Sequence, residues 1–403
     1  MIINAYTLGS APPSTVAVAA EGFGGCLHVV DPDDRDAVSM LPVLRELGPV
    51  VVSTDPAHIA RALGPTTPRG VVTFAESTLG LAARIAEFFE LPGPSKQTAR
   101  WLTNKMQQRE RLNEQGLGPV RSVSMIGSQI PPDVPLPAVI KPQQGAGSQD
   151  TVFVRDEREL AIQARDLPAD RAYVIEELIQ GSDRPLGPWL TDYVSVETAV
   201  DTRPHVVHLG VTGRLPLADP ARETGLVYPI TMPAGLEDEV RALAEAAIVA
   251  LEIPVGLVHT EIKLTDCGPV IIEVNGRLGG GLHRLLPRVG AIEPVGLAVK
   301  LAAGDEVGPD AGRTDGHALH MYVQPPREAT AVCELPAPAT LRALPGVFAA
   351  DRIARPGDPV NWRTGSAGRV YDIWLEGDTV EGLEERACAV IEHLAGSISW
   401  HFA

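Results

Sequence analysis

Lysine is scarce in this chain of 403 residues. There are five (Lys96, Lys105, Lys141, Lys263 and Lys300) against 29 arginines. Where only a positive charge is wanted, the sequence nearly always uses arginine. A lysine is a compact point charge and arginine a planar fork, so each of the five is a candidate for a task arginine does not do. Cysteine is scarce too. Cys26, Cys267, Cys333 and Cys388 lie far apart with no CxxC pair, which supports neither a zinc knuckle nor a disulfide framework. No apolar run reaches the about 18 residues of a membrane span. The opening, MIINAYTLGSAPPSTVAVAAEG, lacks the basic and long apolar regions of a signal peptide. A reduced cytoplasm is therefore expected, without a membrane partner. Lys and Arg are outnumbered, giving a net charge of −17 and a pI near 5.0. That argues against nucleic acid, whose phosphates call for clustered basic residues. It leaves room for a small anion in a locally basic pocket. Three signatures are missing: GxxxxGK[ST], GxSxG, and the third glycine of GxGxxG, where Leu27 follows Gly22-Phe23-Gly24-Gly25.

What is present suggests two to four domains. The first 95 or so residues alternate strand candidates (Ser14 to Ala20, Gly48 to Ser53, Gly70 to Phe74) with helical spacing (Ala37 to Leu47, Ala57 to Leu63, Glu76 to Glu90). Such alternation implies a parallel sheet. Pro92-Gly93-Pro94-Ser95 is a break. A helix over 97–115 follows, then a strand at 138–141, a glycine loop at 143–148 and a strand at 151–154. Next come a helix at 157–166, a strand at 172–176, a loop at 181–192 and strands at 193–198 and 206–211. A long helix spans 236–251. After 305 the composition loosens, with strands at 318–323 and 370–375 and a helix at 383–394. The reading divides the chain into an N-terminal α/β domain (1–95), a central domain (96–305, with a lid subdomain at about 120–185) and a C-terminal α+β domain (306–403).

The most telling segment is VHTEIKLTDCGPVIIEVNGRLGGG, residues 258–281. Asp266-Cys267-Gly268-Pro269 marks a hairpin turn that sets Glu261 beside Glu273 and Asn275. Residues two apart on a strand share a face, which adds Arg277. Two carboxylates and an amide oxygen suit a hard divalent cation, and the arginine suits a phosphoryl group gathering charge. A hairpin with a solvated acidic face is the plainer reading. Val270, Ile271, Ile272 and Val274 argue for burial, and burial is costly for carboxylates without partners. Gly145-Ala146-Gly147-Ser148 joins two strands, and its small residues let backbone N–H groups approach phosphate oxygens. Lys141 ends the strand before it. His317 and His320 read as a strand-face pair rather than a metal site, and His259 stands two residues from Glu261.

In order along the chain, TNKMQQRERL, VIKPQQGAGSQDTVFV, YVIEELIQGS, HTEIKL and GPVIIEVNGRLGGG resemble the ATP-grasp superfamily of carboxylate–amine ligases, and within it the amino-acid (dipeptide) ligase branch. The resemblance implies an ATP-grasp fold: a Rossmann-like N-terminal domain, a lid subdomain and a C-terminal α+β domain. It implies ATP and Mg²⁺ (or Mn²⁺) as cofactors, two amino acids as substrates and a homodimer. Lys105 and Lys141 match the lysines that hold ATP phosphates. Gln144, Gly145, Gly147 and Ser148 match the covering loop, and Glu176, Glu177, Leu178 and Ile179 the adenine hinge. Glu261, Glu273 and Asn275 match the metal ligands, and Arg277 the catalytic arginine. Arg222-Glu223-Thr224-Gly225 resembles the substrate-side loop, so Glu223 and Gly225 are substrate candidates, with Arg214, His283 and Arg284. Arg288 reads equally well as a solvated helix face. Between hinge and next strand the chain is lengthened by SDRPLGPWLTD, leaving Asp183 and Asp192 both open as the ribose acid. The implied reaction forms an amide, dipeptide or γ-glutamyl in type, through an acyl phosphate. The rivals are a biotin-carboxylase-like or purine-pathway ATP-grasp enzyme, and a nucleotide-binding protein without catalysis.

Overall fold

A computed structural model of the chain describes residues 1–182, 186–187, 189–203, 205–290, 292–308, 312 and 314–402. Near the N-terminus four short strands, β1 (Ile2–Tyr6), β2 (Cys26–Val30), β3 (Val50–Val52) and β4 (Gly70–Val72), form a parallel sheet in the order β3-β2-β1-β4. β1 is buried along its whole length, as suits a parallel strand covered on both faces. The segment read as a strand over Ser14 to Ala20 is instead the helix Pro13–Ala19. Pro13 explains the difference, since proline in the first helical turn fixes φ for a helix and gives up an N–H that has no partner there. The turn Gly24-Gly25 leads from that helical region into β2, with both glycines in left-handed φ.

The lid is an antiparallel sheet of β5 (Ser122–Ile126), β6 (Ala138–Pro142), β7 (Val152–Val154) and β8 (Ala172–Glu177), in the order β5-β8-β6-β7. The glycine loop joins β6 to β7. The largest sheet has eight antiparallel strands. They are β9 (Tyr193–Val200), β10 (Val206–Arg214), β11 (Gly225–Tyr228), β12 (Gly256–Thr265), β13 (Gly268–Asn275), β14 (His317–Val323), and, after β15 (Ala329–Glu334), β16 (Val347–Arg352) and β17 (Tyr371–Gly377). Their order is β13-β12-β9-β10-β11-β14-β17-β16, while β15 pairs with β18 (Ser399–Phe402). The pairing of β11 with β14 carries this sheet across position 305. Among the described residues no helix is long and apolar enough to cross a membrane.

β13 is an edge strand, and an uncovered edge exposes a row of unpaired backbone groups. The helix Lys105–Glu114 covers it with two buried side chains. Gln108 donates to Val274 O at 2.8 Å and accepts from Val274 N at 2.8 Å. Arg109 donates to Ile271 O at 2.9 Å, to Ile272 O at 2.8 Å and to Glu176 Oε1 at 2.9 Å. One guanidinium thus joins the helix, the edge strand and lid strand β8. Burial works to raise the Glu176 carboxyl, but Arg109 and Lys141 outweigh it and bring it down to about 2. The stabilisation this supplies is complete above the ordinary value of 4.5 and is lost as pH falls toward 2. Replacing Arg109 with Met leaves the buried Glu176 carboxylate with Lys141 alone and takes the side-chain donor from two carbonyls. The expected loss is about 3–5 kcal/mol in denaturant unfolding at neutral pH, with a smaller deficit in acid; a loss under about 1 kcal/mol would contradict this role for Arg109.

Candidate active site

The face of the large sheet opposite the helix Ala234–Ala250 carries the candidate site. Glu261 stands directly across from Glu273, and His259 from Asn275. A register shift follows, Ile262 pairing with Ile271, so Ile272 is an extra residue in β13. A bulge of this kind re-aims side chains. It lets Ile271 join the apolar core with Val274 while Glu273 and Asn275 point to the polar side. Without it, alternation would set a core isoleucine among the carboxylates.

The row continues across β9 and β10. Buried Glu197 accepts from Ser195 Oγ at 2.8 Å, Thr212 Oγ1 at 2.9 Å and His259 Nδ1 at 2.9 Å. The other His259 nitrogen lies 3.1 Å from an Arg214 nitrogen and 3.4 Å from Glu261 Oε1. Burial acts to lower the His259 imidazole, but Glu197 overrides it and pushes the group up to about 9. Burial likewise acts to raise Glu261, and His259, Arg214 and Arg277 hold it at about 2. Glu261 therefore stays ionised despite its setting. That suits an oxygen donor for a hard cation.

Two cations face the carboxylates from other elements. Lys105 opens its helix, which Asn104 caps by accepting from Gln107 N at 3.0 Å. Its ammonium lies 2.8 Å from Glu273 Oε1 and donates to Gly145 O at 2.5 Å. Arg277 donates to Asn275 Oδ1 at 3.3 Å and to Leu278 O at 3.1 Å. Between them sits Glu76, 3.8 Å from Lys105 and 3.8 Å from Arg277. The sequence reading treated Glu76 only as a helix start. Its signal was positional: it follows the C-terminal end of parallel strand β4, where open α/β sheets bind ligands. Burial is the main force on Glu76, and with Glu273 nearby it pushes the carboxyl up to about 7 against the pull of Lys105 and Arg277.

Above this face hangs the glycine loop. Gly145, Gly147, Ser148 and Asp150 all have positive φ, and Arg171 ties the loop down through Asp150 at 2.8 Å and Gln144 O at 3.4 Å. Lys141 is turned to Glu176 Oε2 at 2.6 Å. The hinge side chains are committed: Glu176 inward as described, Glu177 outward to Arg121 at 3.0 Å. Leu178 N donates to Pro137 O at 2.9 Å, and Ile179 follows it out of the strand. Asp192 pairs with Lys263 at 2.6 Å, and Asp183 lies outside the described residues.

Of the residues expected to face substrate, Arg214 and Glu223 approach to 3.5 Å, and Gly225 pairs with Met321. His283 is packed edge-on to Trp374, its imidazole lowered by burial to about 4. Arg284 is not brought to the carboxylates. It pairs with Asp351 at 2.5 Å and lies over Trp374, because the helix Leu282–Val289 turns this position toward the C-terminal strands. Arg288 is held by Glu376. His317 and His320 point apart, to Pro229 O at 2.7 Å and to Asp372 at 2.9 Å. Among the described residues no three His, Cys, Asp or Glu side chains form a metal-holding group by themselves.

A glycine loop over a sheet face of carboxylates and opposed cations defines a phosphate-handling class of fold. Residues 102–281 match the family described as the ATP-grasp domain, and the chain has the ATP-grasp fold. It is similar to the uncharacterized protein y4rH of Sinorhizobium fredii (strain NBRC 101917 / NGR234), 28% identical over 258 residues, 59% of this chain and 49% of that one. It is also similar to the D-alanine--D-alanine ligase of Mycobacterium sp. (strain KMS), 30% identical over 176 residues, 42% of this chain and 46% of that one. The chain spans about half the length of these curated relatives. Among solved structures, the L-amino acid ligase from Bacillus licheniformis shares the fold with a TM-score of 0.76 at 18% identity, covering 99% of this chain and 98% of that one.

The position of Glu76 makes a pH prediction. As pH rises through about 7 this carboxyl gains negative charge beside Lys105 and Arg277, which opposes an incoming polyphosphate. The affinity for Mg-AMP-PNP is therefore expected to fall between pH 6 and 8 by more in the wild type than in Glu76→Gln. Equal slopes in calorimetric titration would contradict it.

Proposed function

We propose that the chain is an ATP- and Mg²⁺-dependent ligase that joins the carboxylate of one amino acid to the amine of another. The observation that carries this reading is the meeting, on one half-buried sheet face, of Glu261, Glu273 and Asn275 with Lys105 and Arg277 under a glycine loop. The donor set fits a hard cation: all three contacting groups offer oxygen, and Glu261 is ionised in place. Glu261, Glu273 and Asn275 would hold Mg²⁺ or Mn²⁺, which neutralises phosphate oxygens when bound.

The rest falls to the chain's own residues. A carboxylate and a triphosphate repel one another. Lys105 and Arg277, with Lys141 behind the loop, set fixed positive charge where negative charge gathers. A carboxylate oxygen of the donor attacks the γ-phosphorus, the bond to ADP breaks, and an acyl phosphate forms. The acceptor amine then attacks the acyl carbon, phosphate leaves with its electron pair, and the amine sheds a proton as the amide forms. Arg214, whose Nε faces Glu223 at 3.5 Å and whose Nη1 is buried without a hydrogen-bond partner, stands ready for an oxyanion on the substrate side. The glycine loop excludes water from the acyl phosphate. A cytoplasmic setting and small-molecule partners belong to this same reading.

The test is a trapping panel: ATP, Mg²⁺, hydroxylamine and each of the twenty amino acids singly. A hydroxamate with matching ADP is expected for the correct donor, and Glu273→Gln is expected to lower its rate by about 10³-fold or more with the fold intact. No hydroxamate from any amino acid, or ADP release that depends on bicarbonate alone, would overturn the amino-acid reading. Wild-type rates in Glu273→Gln would overturn the metal assignment.

A further inference from the structure

The turn Trp362–Gly368, between β16 and β17, touches both halves of the site. On one side it grips the glycine loop. Ser366 N donates to Gly147 O at 2.7 Å, and Asp150 N donates to Arg363 O at 3.1 Å. Gly365 has a left-handed φ of 65°, and a Cβ there would come within 2.1 Å of Gly147 O. Both facts admit only glycine. Trp362 adds its ring to the apolar core of the lid, and the Arg363 guanidinium lies 3.5 Å from Asp150.

On the other side the same turn grips the substrate loop. Ser366 Oγ accepts from Glu223 N at 3.0 Å. Gln324 donates to Glu223 O at 2.8 Å and to Ser366 O at 3.3 Å. The Glu223 carboxylate in turn lies 3.5 Å from Arg214 Nε, and Arg214 reaches Ser195 Oγ at 3.2 Å. An unbroken line of contacts therefore runs from the phosphate-covering loop, through one buried serine, to the arginine beside the carboxylates. Gly147 uses the serine's backbone N–H and Glu223 its hydroxyl, so the two grips can be separated by mutation.

We propose that Ser366 is a positioning residue that couples closure of the glycine loop over ATP to the placement of Glu223, and through it Arg214, on the substrate side. The coupling rests on the ATP-dependent reading above. It keeps phosphoryl transfer in step with substrate: the loop that excludes water is fastened to the loop that orders the substrate's arginine.

The experiment is hydrogen exchange of the full chain, followed at 143–150 and 222–226, with and without Mg-AMP-PNP. In the wild type the nucleotide is expected to slow both segments, the Glu223 amide by roughly fivefold, the population effect of about one hydrogen bond. In Ser366→Ala the grip on Gly147 remains, so 143–150 still slows and the Kd for Mg-AMP-PNP is unchanged, while 222–226 no longer responds. In Gly365→Ala the new Cβ displaces Gly147, and both responses shrink. Full nucleotide-dependent slowing of 222–226 in either variant would overturn the coupling and leave the ATP reading intact. No slowing of 143–150 in the wild type would overturn the ATP reading and the coupling with it.

Discussion

The arrangement hangs on an edge. β13 carries Glu273 and Asn275, yet it is the outermost strand of its sheet and leaves backbone groups to be paired. Gln108 and Arg109 pair them, at Val274, Ile271 and Ile272. These side chains also fix the helix that presents Lys105 to Glu273, and Arg109 goes on to Glu176 in the lid. A buried fork with all its partners is rigid, and removing one partner leaves a desolvated charge. The edge that needed covering is thereby turned into the alignment of three elements around one face.

That face is a balance of charges held in place before any ligand arrives. Glu197, Glu261, Glu273 and Glu76 stand against His259, Arg214, Lys105 and Arg277. In such a setting dipoles and charges need not reorganise at the moment of reaction. Lys105 rests on Glu273 and Lys141 on Glu176. A polyphosphate with its cation would take over these partners. Glu76 differs, since burial leaves it near neutrality's edge, and it comes from the N-terminal sheet, so that sheet contributes to the site and not only to its support.

Much of this was legible in the sequence. The hairpin at 258–275 and the glycine loop leave local marks, a turn tetrapeptide and clustered small residues, whereas the single helix read over 97–115 is two, Lys96–Thr103 and Lys105–Glu114, broken at Asn104. What escaped depends on contacts between distant segments. The bulge at Ile272 follows from the core's demand for Ile271, which no alternation rule announces. Arg109 looked like any helical arginine until its three partners, far along the chain, were in view. Arg284 looked like a substrate ligand from its place after the glycines, but Asp351 and Trp374 claim it. The strand expected at Ser14 to Ala20 is the exception, since it failed for a local reason, proline's preference for a helix start.

The central claim is that a carboxylate oxygen attacks the γ-phosphate on this face. Its most direct test follows that oxygen. With the donor amino acid labelled with ¹⁸O in its reacting carboxylate, the account predicts that one labelled oxygen per turnover appears in inorganic phosphate as the amide forms. Phosphate free of label, or label carried into AMP, would contradict it.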